Sequence, residues 1–338
     1  MLSFIISPQS NFDIFLMTIG GLCVFLFGLN LTKENLKSIA TEKLKQIIFN
    51  STNTILKSFL VGFIATVIIQ SSSGVTAIVV SFIAAGYLTF PQGLGIMIGA
   101  NLGTCTTAFL IGFNIQEWAF IVIIVASIAS FILKDQRKQK IAQTILGIGV
   151  LFLGLQFMES GFNAIARSNV FADVIIKYSN NNIIALILGI TLTFIIQSSS
   201  AIIGILEQIY AAEIIKLIPA IVLMLGSNIG TTMTGLIATY KTSYQAKKAV
   251  IANIIFNVFG MLLFVIILKP FAYLLKLLEQ QSFQTRPELT IAFAHLFFNL
   301  ITVILGYFFF KQLIYITEKI TPKENITFYK NKKTIPIG

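Results

Sequence analysis

IIQSSSGVTAIVV at residues 68–80 and IIQSSSAIIGILE at residues 195–207 open with the same six letters. Each closes an apolar run of about a dozen residues, 59–69 and 183–196. That is little more than half of the roughly 20 residues a helix needs to cross a ~30 Å hydrocarbon core. A short apolar run meeting a polar cluster suits a re-entrant half-helix better than a full crossing. The two clusters lie 127 residues apart (197 − 70), and GANLGTCTT (99–107) and GSNIGTTMT (226–234) repeat that separation. Upstream, FLFGL at 25–29 matches LFLGL at 151–155 with a shift of 126. Three matches in order, almost without an indel, mark an internal duplication.

Composition places both copies in lipid. Of 338 residues, 56% are hydrophobic and only 11% charged, less than half the ~25% charge of an ordinary soluble domain. Such a chain is too apolar to stay disordered. The net charge of +11 does not indicate nucleic acid, because no Lys or Arg occurs between Lys57 and Lys134. Cys23 and Cys105 sit in apolar stretches and read as packing residues; with a single His they do not make an ordinary zinc site. The start, MLSFIISPQSNF, has no basic region before its apolar residues and does not read as a cleaved signal peptide. Full spans are expected near 12–32, 93–113, 115–133, 141–160, 217–237, 249–268 and 289–311.

Charge sets the expected orientation. With the N-terminus outside and both QSSS segments re-entrant, the loops 33–57, 134–140 and 241–248 and the tail from 311 are cytoplasmic. They hold 18 of the 24 Lys+Arg, in accord with the positive-inside rule. Three crossings then separate equivalent points, an odd number, so the copies are inverted. The expected architecture is an all-α polytopic membrane protein with two inverted-topology repeats, re-entrant helical hairpins and interrupted transmembrane helices. Its parts are a first repeat at 12–133, a second at 141–268, a further helix at 289–311 and a basic cytoplasmic tail at 312–338. The cell (cytoplasmic) membrane is the expected location.

Inverted repeats with interrupted helices characterise secondary transporters, whose sites lie between the repeats near the bilayer midplane. A Gln and three hydroxyls offer donors and acceptors without fixed charge. At a helix break, freed N–H groups favour an anion, while freed carbonyls and Ser, Thr or Asn oxygens suit a hard cation such as sodium. Gly99, Gly103, Gly226 and Gly230 permit unwinding and close backbone approach there. Serines and glycines in membrane helices often serve only packing, but two matched copies at matched distances weigh against that reading. His295, Asn299, Asn253 and Asn257 lie in apolar spans, where an interhelical hydrogen bond is the default role. Glu207 and Glu213, just past the second cluster, suit an interface or a vestibule. Near the motifs the only basic residue expected is Lys216, at a helix end, so a bound divalent anion should require co-bound cations.

The paired QSSS clusters with GANLGT and GSNIGT resemble the type II sodium-dependent phosphate cotransporter family, over about residues 15–311. AHLFFNL (294–300) and the related ANIIFNVFG (252–260) resemble a segment that recurs in it. The resemblance implies that Gln70, Ser71, Ser72, Ser73 and Gln197, Ser198, Ser199, Ser200 form hairpin tips facing phosphate and sodium. It likewise implies that Asn101, Thr104, Asn228, Thr231 and Thr232 belong to partner motifs in unwound helices. Sodium is the implied coupling ion, shared among these same residues, with no other cofactor. Inorganic phosphate, sodium and the lipid bilayer are the implied partners, nucleic acid is not, and homo-oligomer formation is left open. Many bacterial relatives carry a PhoU-like cytoplasmic domain, which this chain ends too soon to hold. The electrogenic vertebrate members carry an HD-x-FN pattern, whereas the helix near 115–133 holds no acid beyond Glu117 at its start, so stoichiometry does not carry over.

The expected function is therefore sodium-coupled phosphate symport by alternating access. An exporter or anion channel using the same hairpins shares most of these features. A serine hydrolase needs a base within hydrogen-bond reach. His295 is the single histidine, has no orienting acid beside it in sequence, and is not duplicated with the serines.

Overall fold

The computed structural model describes residues 10–50, 52–112, 118–166, 181–240, 242–284 and 286–321. Among these the ordered elements are all helical. α1 (Asn11–Phe15), capped by Ser10, runs through a π-turn at Leu16–Gly20 into α2 (Gly21–Asn50). α3 (Ile55–Ile69) and α4 (Ser72–Ala84) form the first hairpin, followed by α5 (Phe90–Gly103), α6 (Cys105–Gly112) and α7 (Ala119–Ile132). α8 (Gln136–Ala166) leads to the second hairpin, α9 (Asn182–Ile196) and α10 (Ser199–Ala211). α11 (Leu217–Ala238), α12 (Tyr244–Ile266), α13 (Leu268–Leu278), α14 (Glu288–Phe308) and α15 (Phe310–Ile320) complete the chain.

Six helical stretches are long and apolar enough to cross a membrane: Asn11–Ile39, Phe90–Gly112, Gln136–Ala166, Leu217–Ala238, Tyr244–Ile266 and Glu288–Phe308. Large apolar side chains stand exposed on them and their neighbours, among them Phe131 at 88% and Ile266 at 80%, a surface suited to lipid. The protein is a multi-pass protein of the cell membrane. The span expected at 115–133 is the 14-residue α7; Glu117 lies outside the described residues. The region expected as a tail opens with α15, and 322–338 lies outside the described residues.

The duplication holds at the level of single turns. α9 and α10 have the bounds of α3 and α4 moved by 127 residues. Thr54 caps α3 by accepting from the Lys57 N–H, and Asn181, its equivalent, caps α9 by accepting from Ile183 and Ile184. Each first half-helix lies against the next long helix by backbone approach. A Cβ on Gly62 or Gly99 would come within 1.9 Å of Ile96 O or Phe59 O. On Gly189 or Gly226 it would come within 2.1 Å of Leu223 O or 2.3 Å of Leu186 O. Glycine is required there because no side chain fits between the backbones.

The equivalent helices α2 and α8 pack on each other, and their order of contact runs in opposite directions. Gly28 meets Leu151 and Gly147, while Gly154 meets Phe25 and Gly21, so these matched helices are antiparallel. A second, shorter correspondence joins the C-terminal helices. α14 and α15 end where α12 and α13 end, moved by 42 residues, and the joints Ile267 and Phe309 share φ −97° with ψ 17° and 18°. The separation is that of ANIIFNVFG and AHLFFNL. α15 and the first half of α12 share a core with α3, α4 and α5, whereas α13, most of α14 and the end of α12 at Phe264 share one with α6, α9, α10 and α11.

Two expectations are corrected. Residues 33–57 are not a loop from their start: α2 stays helical to Asn50, because no Gly or Pro interrupts the chain after Gly28. The helix carrying GSNIGT is not unwound. α5 and α6 break at Thr104, but α11 runs unbroken through Asn228, Thr231 and Thr232. In α11 the hydroxyls of Thr231 and Thr232 donate to Ser227 O and Ile229 O of their own helix, and Gly226 and Gly230 serve packing on α9.

Candidate functional site

Each hairpin turns on its glutamine. Gln70 closes α3 with φ 57° and ψ 29°, and Gln197 closes α9 with φ 56° and ψ 28°. This left-handed conformation costs a non-glycine residue about 1–2 kcal/mol. Its adoption by a glutamine in both copies singles out the side chain. The next residue becomes a helix cap. Ser71 accepts from the Gly74 N–H at 3.1 Å and Ser198 from the Ala201 N–H at 3.3 Å. The carbonyls of the same two serines accept from Val75 and Ile202. The N–H groups of Ser72 and Ser73, and of Ser199 and Ser200, open α4 and α10 and have no acceptor within their helices. Each tip thus places two such N–H groups at the positive end of a helix dipole, a ready place for an anion.

The partner motifs meet the tips unequally. Gln70 Nε2 donates to Val67 O at 2.7 Å and to Thr106 Oγ1 at 3.3 Å, and Thr107 Oγ1 donates to Gln70 Oε1 at 2.6 Å. Gln197 stands exposed. Thr234, equivalent to Thr107, donates to Thr231 O at 2.7 Å and is hydrogen-bonded across the copies to Ser73 Oγ at 3.2 Å. That bond, and the packing of α4 on α11 and of α10 on α6, bring each hairpin against the other copy's long helix. Ser72, Ser199 and Ser200 are buried, and Ser71, Ser73 and Ser198 partly so.

The motif asparagines point at the C-terminal helices. Asn101 Nδ2 donates to Asn257 Oδ1 at 3.3 Å, and Asn228 Oδ1 faces His295 Nε2 at 3.4 Å. Asn257 in turn donates to Asn253 O at 2.8 Å, and Asn299, its equivalent by the 42-residue shift, donates to His295 O at 2.9 Å. Asn257 and His295 therefore meet Asn101 and Asn228 directly, and each is hydrogen-bonded within its helix to a second residue, Asn253 or Asn299. Thr104 Oγ1 donates to Asn101 O at 2.5 Å within the α5–α6 break. Thr231 and Thr232 face their own helix.

Three residues at the tips were not expected from the sequence: Thr106, Thr107 and Lys33. Thr107 and Thr234 close the GANLGTCTT and GSNIGTTMT stretches, so their matched spacing was the available signal. Lys33 Nζ donates to Ser198 Oγ at 2.9 Å. It shares a helix face with Leu26, Leu29 and Asn30, a spacing that carries an apolar stripe on to a charge. The expectation that Lys216 is the only basic residue near the motifs is thus corrected. Among the described residues no group of three or more His, Cys, Asp or Glu is placed to hold a metal ion.

The comparisons agree with this duplicated architecture. The model of the Na+/Pi-cotransporter family matches the chain twice, at residues 24–160 and 155–303. The uncharacterized protein YqeW of Bacillus subtilis is 34% identical over 287 residues, covering 83% of this chain and 90% of its own length. The putative inorganic phosphate export protein YjbB of Escherichia coli is 22% identical over 84% of this chain, which spans about half (51%) of that relative. The human sodium-dependent phosphate transport protein 2B is 35% identical over 94 residues, 27% of this chain and 14% of its own. No solved structure matches. With its family model met once in each copy and a relative matched over most of both chains, this chain belongs to the Na+/Pi-cotransporter family.

Proposed function

We propose that the chain carries inorganic phosphate across the cell membrane together with sodium, by alternating access between two inverted copies. The observation that carries the reading is the pair of tips with matching backbone. Four N–H groups, those of Ser72, Ser73, Ser199 and Ser200, open helices whose partners lie in the opposite copy, and oxyanions bind such groups. Gln70, Ser71, Asn101, Thr104, Gln197, Ser198, Asn228, Thr231 and Thr232 complete the proposed site. Sodium enters as the coupling ion from the printed name of the human relative and from the chemistry of the first tip, which offers Ser, Thr, Gln and Asn oxygens to a hard cation. Binding of ion and anion at adjoining positions is then mutually reinforcing.

The copies are inverted in this reading, in keeping with the antiparallel contact of the matched helices α2 and α8. A cysteine at Gln136 should be protected from an impermeant maleimide in intact cells while one at Ser179 reacts; labelling of both from one face would break the inversion. Transport is tested with the purified protein in proteoliposomes. Labelled phosphate should accumulate above equilibrium with an inward sodium gradient and stop accumulating when potassium replaces sodium. Equal accumulation in sodium-free buffer under a proton gradient would remove sodium as the coupling ion. Equilibration without accumulation would identify a channel. The direction of net flux follows the gradients imposed, so the same preparation also tests export, the activity named for YjbB.

A further inference from the structure

Lys33 stands where neither copy's motif would place a charge. Its ammonium donates to Ser198 Oγ at 2.9 Å, and Ser198 Oγ already accepts from the Ala201 N–H that it caps. Leu26, Leu29, Asn30 and Ile196 join Lys33 and Ser198 around a crevice of about 420 Å³ at the second tip. Among the described residues no carboxylate lies within ion-pair distance of Nζ. The ammonium therefore sits on the serine that caps α10, at the positive end of that helix. A cation in that place is disfavoured by the helix dipole, and an anion bound there would offset both positive charges. Among the described residues no Lys or Arg is hydrogen-bonded to Ser71 at the first tip. By the 126-residue shift that relates FLFGL to LFLGL, the position matching Lys33 in the second copy is Glu159, of opposite sign.

We infer that Lys33 is the charge-pairing residue for the transported anion at the second tip, binding a phosphate oxygen together with the N–H groups of Ser199 and Ser200. The inference rests on the reading of the hairpin tips as the phosphate site. It makes the two tips chemically different: one carries a fixed cation, and the other depends on mobile ones. Part of the countercharge for phosphate is then built into the chain.

The test is phosphate uptake by reconstituted wild type, Lys33→Met, Lys33→Gln and Lys33→Arg at saturating sodium. A charged hydrogen bond of this kind is commonly associated with about a 10- to 150-fold change in affinity. Lys33→Met and Lys33→Gln should raise the phosphate KM by that factor, with kcat changed much less. Lys33→Arg should restore most of the affinity, since a purely steric role would not be rescued by the larger cation. The glutamine variant keeps a donor and most of the length, so it reports on charge even where the methionine variant inserts poorly. A wild-type KM in either neutral variant overturns the inference and leaves the tip reading standing, as does a fall in kcat alone or an equal loss in Lys33→Arg. Absence of phosphate transport by the wild type overturns the tip reading itself, and the role of Lys33 with it.

Discussion

The two hairpin tips have nearly the same backbone and different surroundings. Gln70 and Gln197 agree within 1° in φ and ψ, and the serines that follow cap their helices in the same way. Yet Gln70 is held by Thr106 and Thr107, while Gln197 stands exposed beside a serine bound to Lys33. The copy whose glutamine is clasped is also the copy whose long helix breaks, between α5 and α6; in the other, α11 is continuous. The turn is therefore a local property of the Q-S-S-S segment. Helix breakage and charge are properties of what the turn meets. A duplicated site of this kind is symmetric in its scaffold and asymmetric in its chemistry.

The comparison breaks most visibly at the glycines the two copies share. Gly99→Leu and Gly226→Leu should each cost roughly 3–5 kcal/mol or prevent folding, because the added side chain meets backbone and cannot be relieved by a rotamer change. Monodispersity and thermal unfolding of the detergent-purified protein read this out. A tolerated leucine at one position alone would show that only the other half-helix is locked to its long helix.

A middle-sized effect should separate the glutamines. Gln70→Gly removes the bonds to Thr106 and Thr107 but also the left-handed strain, and should lower stability by about 1 kcal/mol net. Gln197→Gly relieves the same strain and loses no bond seen here, so it should hold or raise stability by a similar amount. Equal unfolding temperatures for the two variants would mean that the clasp on Gln70 contributes nothing.

The smallest effect concerns a buried threonine pair. Thr193 Oγ1 donates to Ser227 Oγ at 2.9 Å; its equivalent, Thr66, is fully buried and has no partner among the described residues, because Ala100 stands where Ser227 does in the other copy. Thr193→Val should cost about 0.6 kcal/mol, the usual worth of a hydrogen bond between membrane helices. Thr66→Val should cost nothing or stabilise slightly. A larger loss at Thr66 than at Thr193, in the same unfolding assay, would point to a bound group at Thr66.

Much of this molecule is legible in the chain alone. The duplication, the short half-helices ending at Gln70 and Gln197, and the membrane location follow from apolar run length and repeated letters. These are local quantities, set by the thickness of lipid and by which residues end a helix. Sequence spacing could not decide which polar groups meet across the copies. Lys33 and Ser198 are 165 residues apart, and Asn101 and Asn257 are 156 apart. The pairings Asn101–Asn257 and Asn228–His295 depend on α12 and α14 each standing behind one hairpin. The break at Thr104 and the continuity of α11 arise from closely related segments, GTCTT and GTTMT, so local propensity does not separate them. Tertiary structure decided these points. Whether a buried donor bonds its own helix or a neighbour depends on which acceptor the packing brings within about 3 Å.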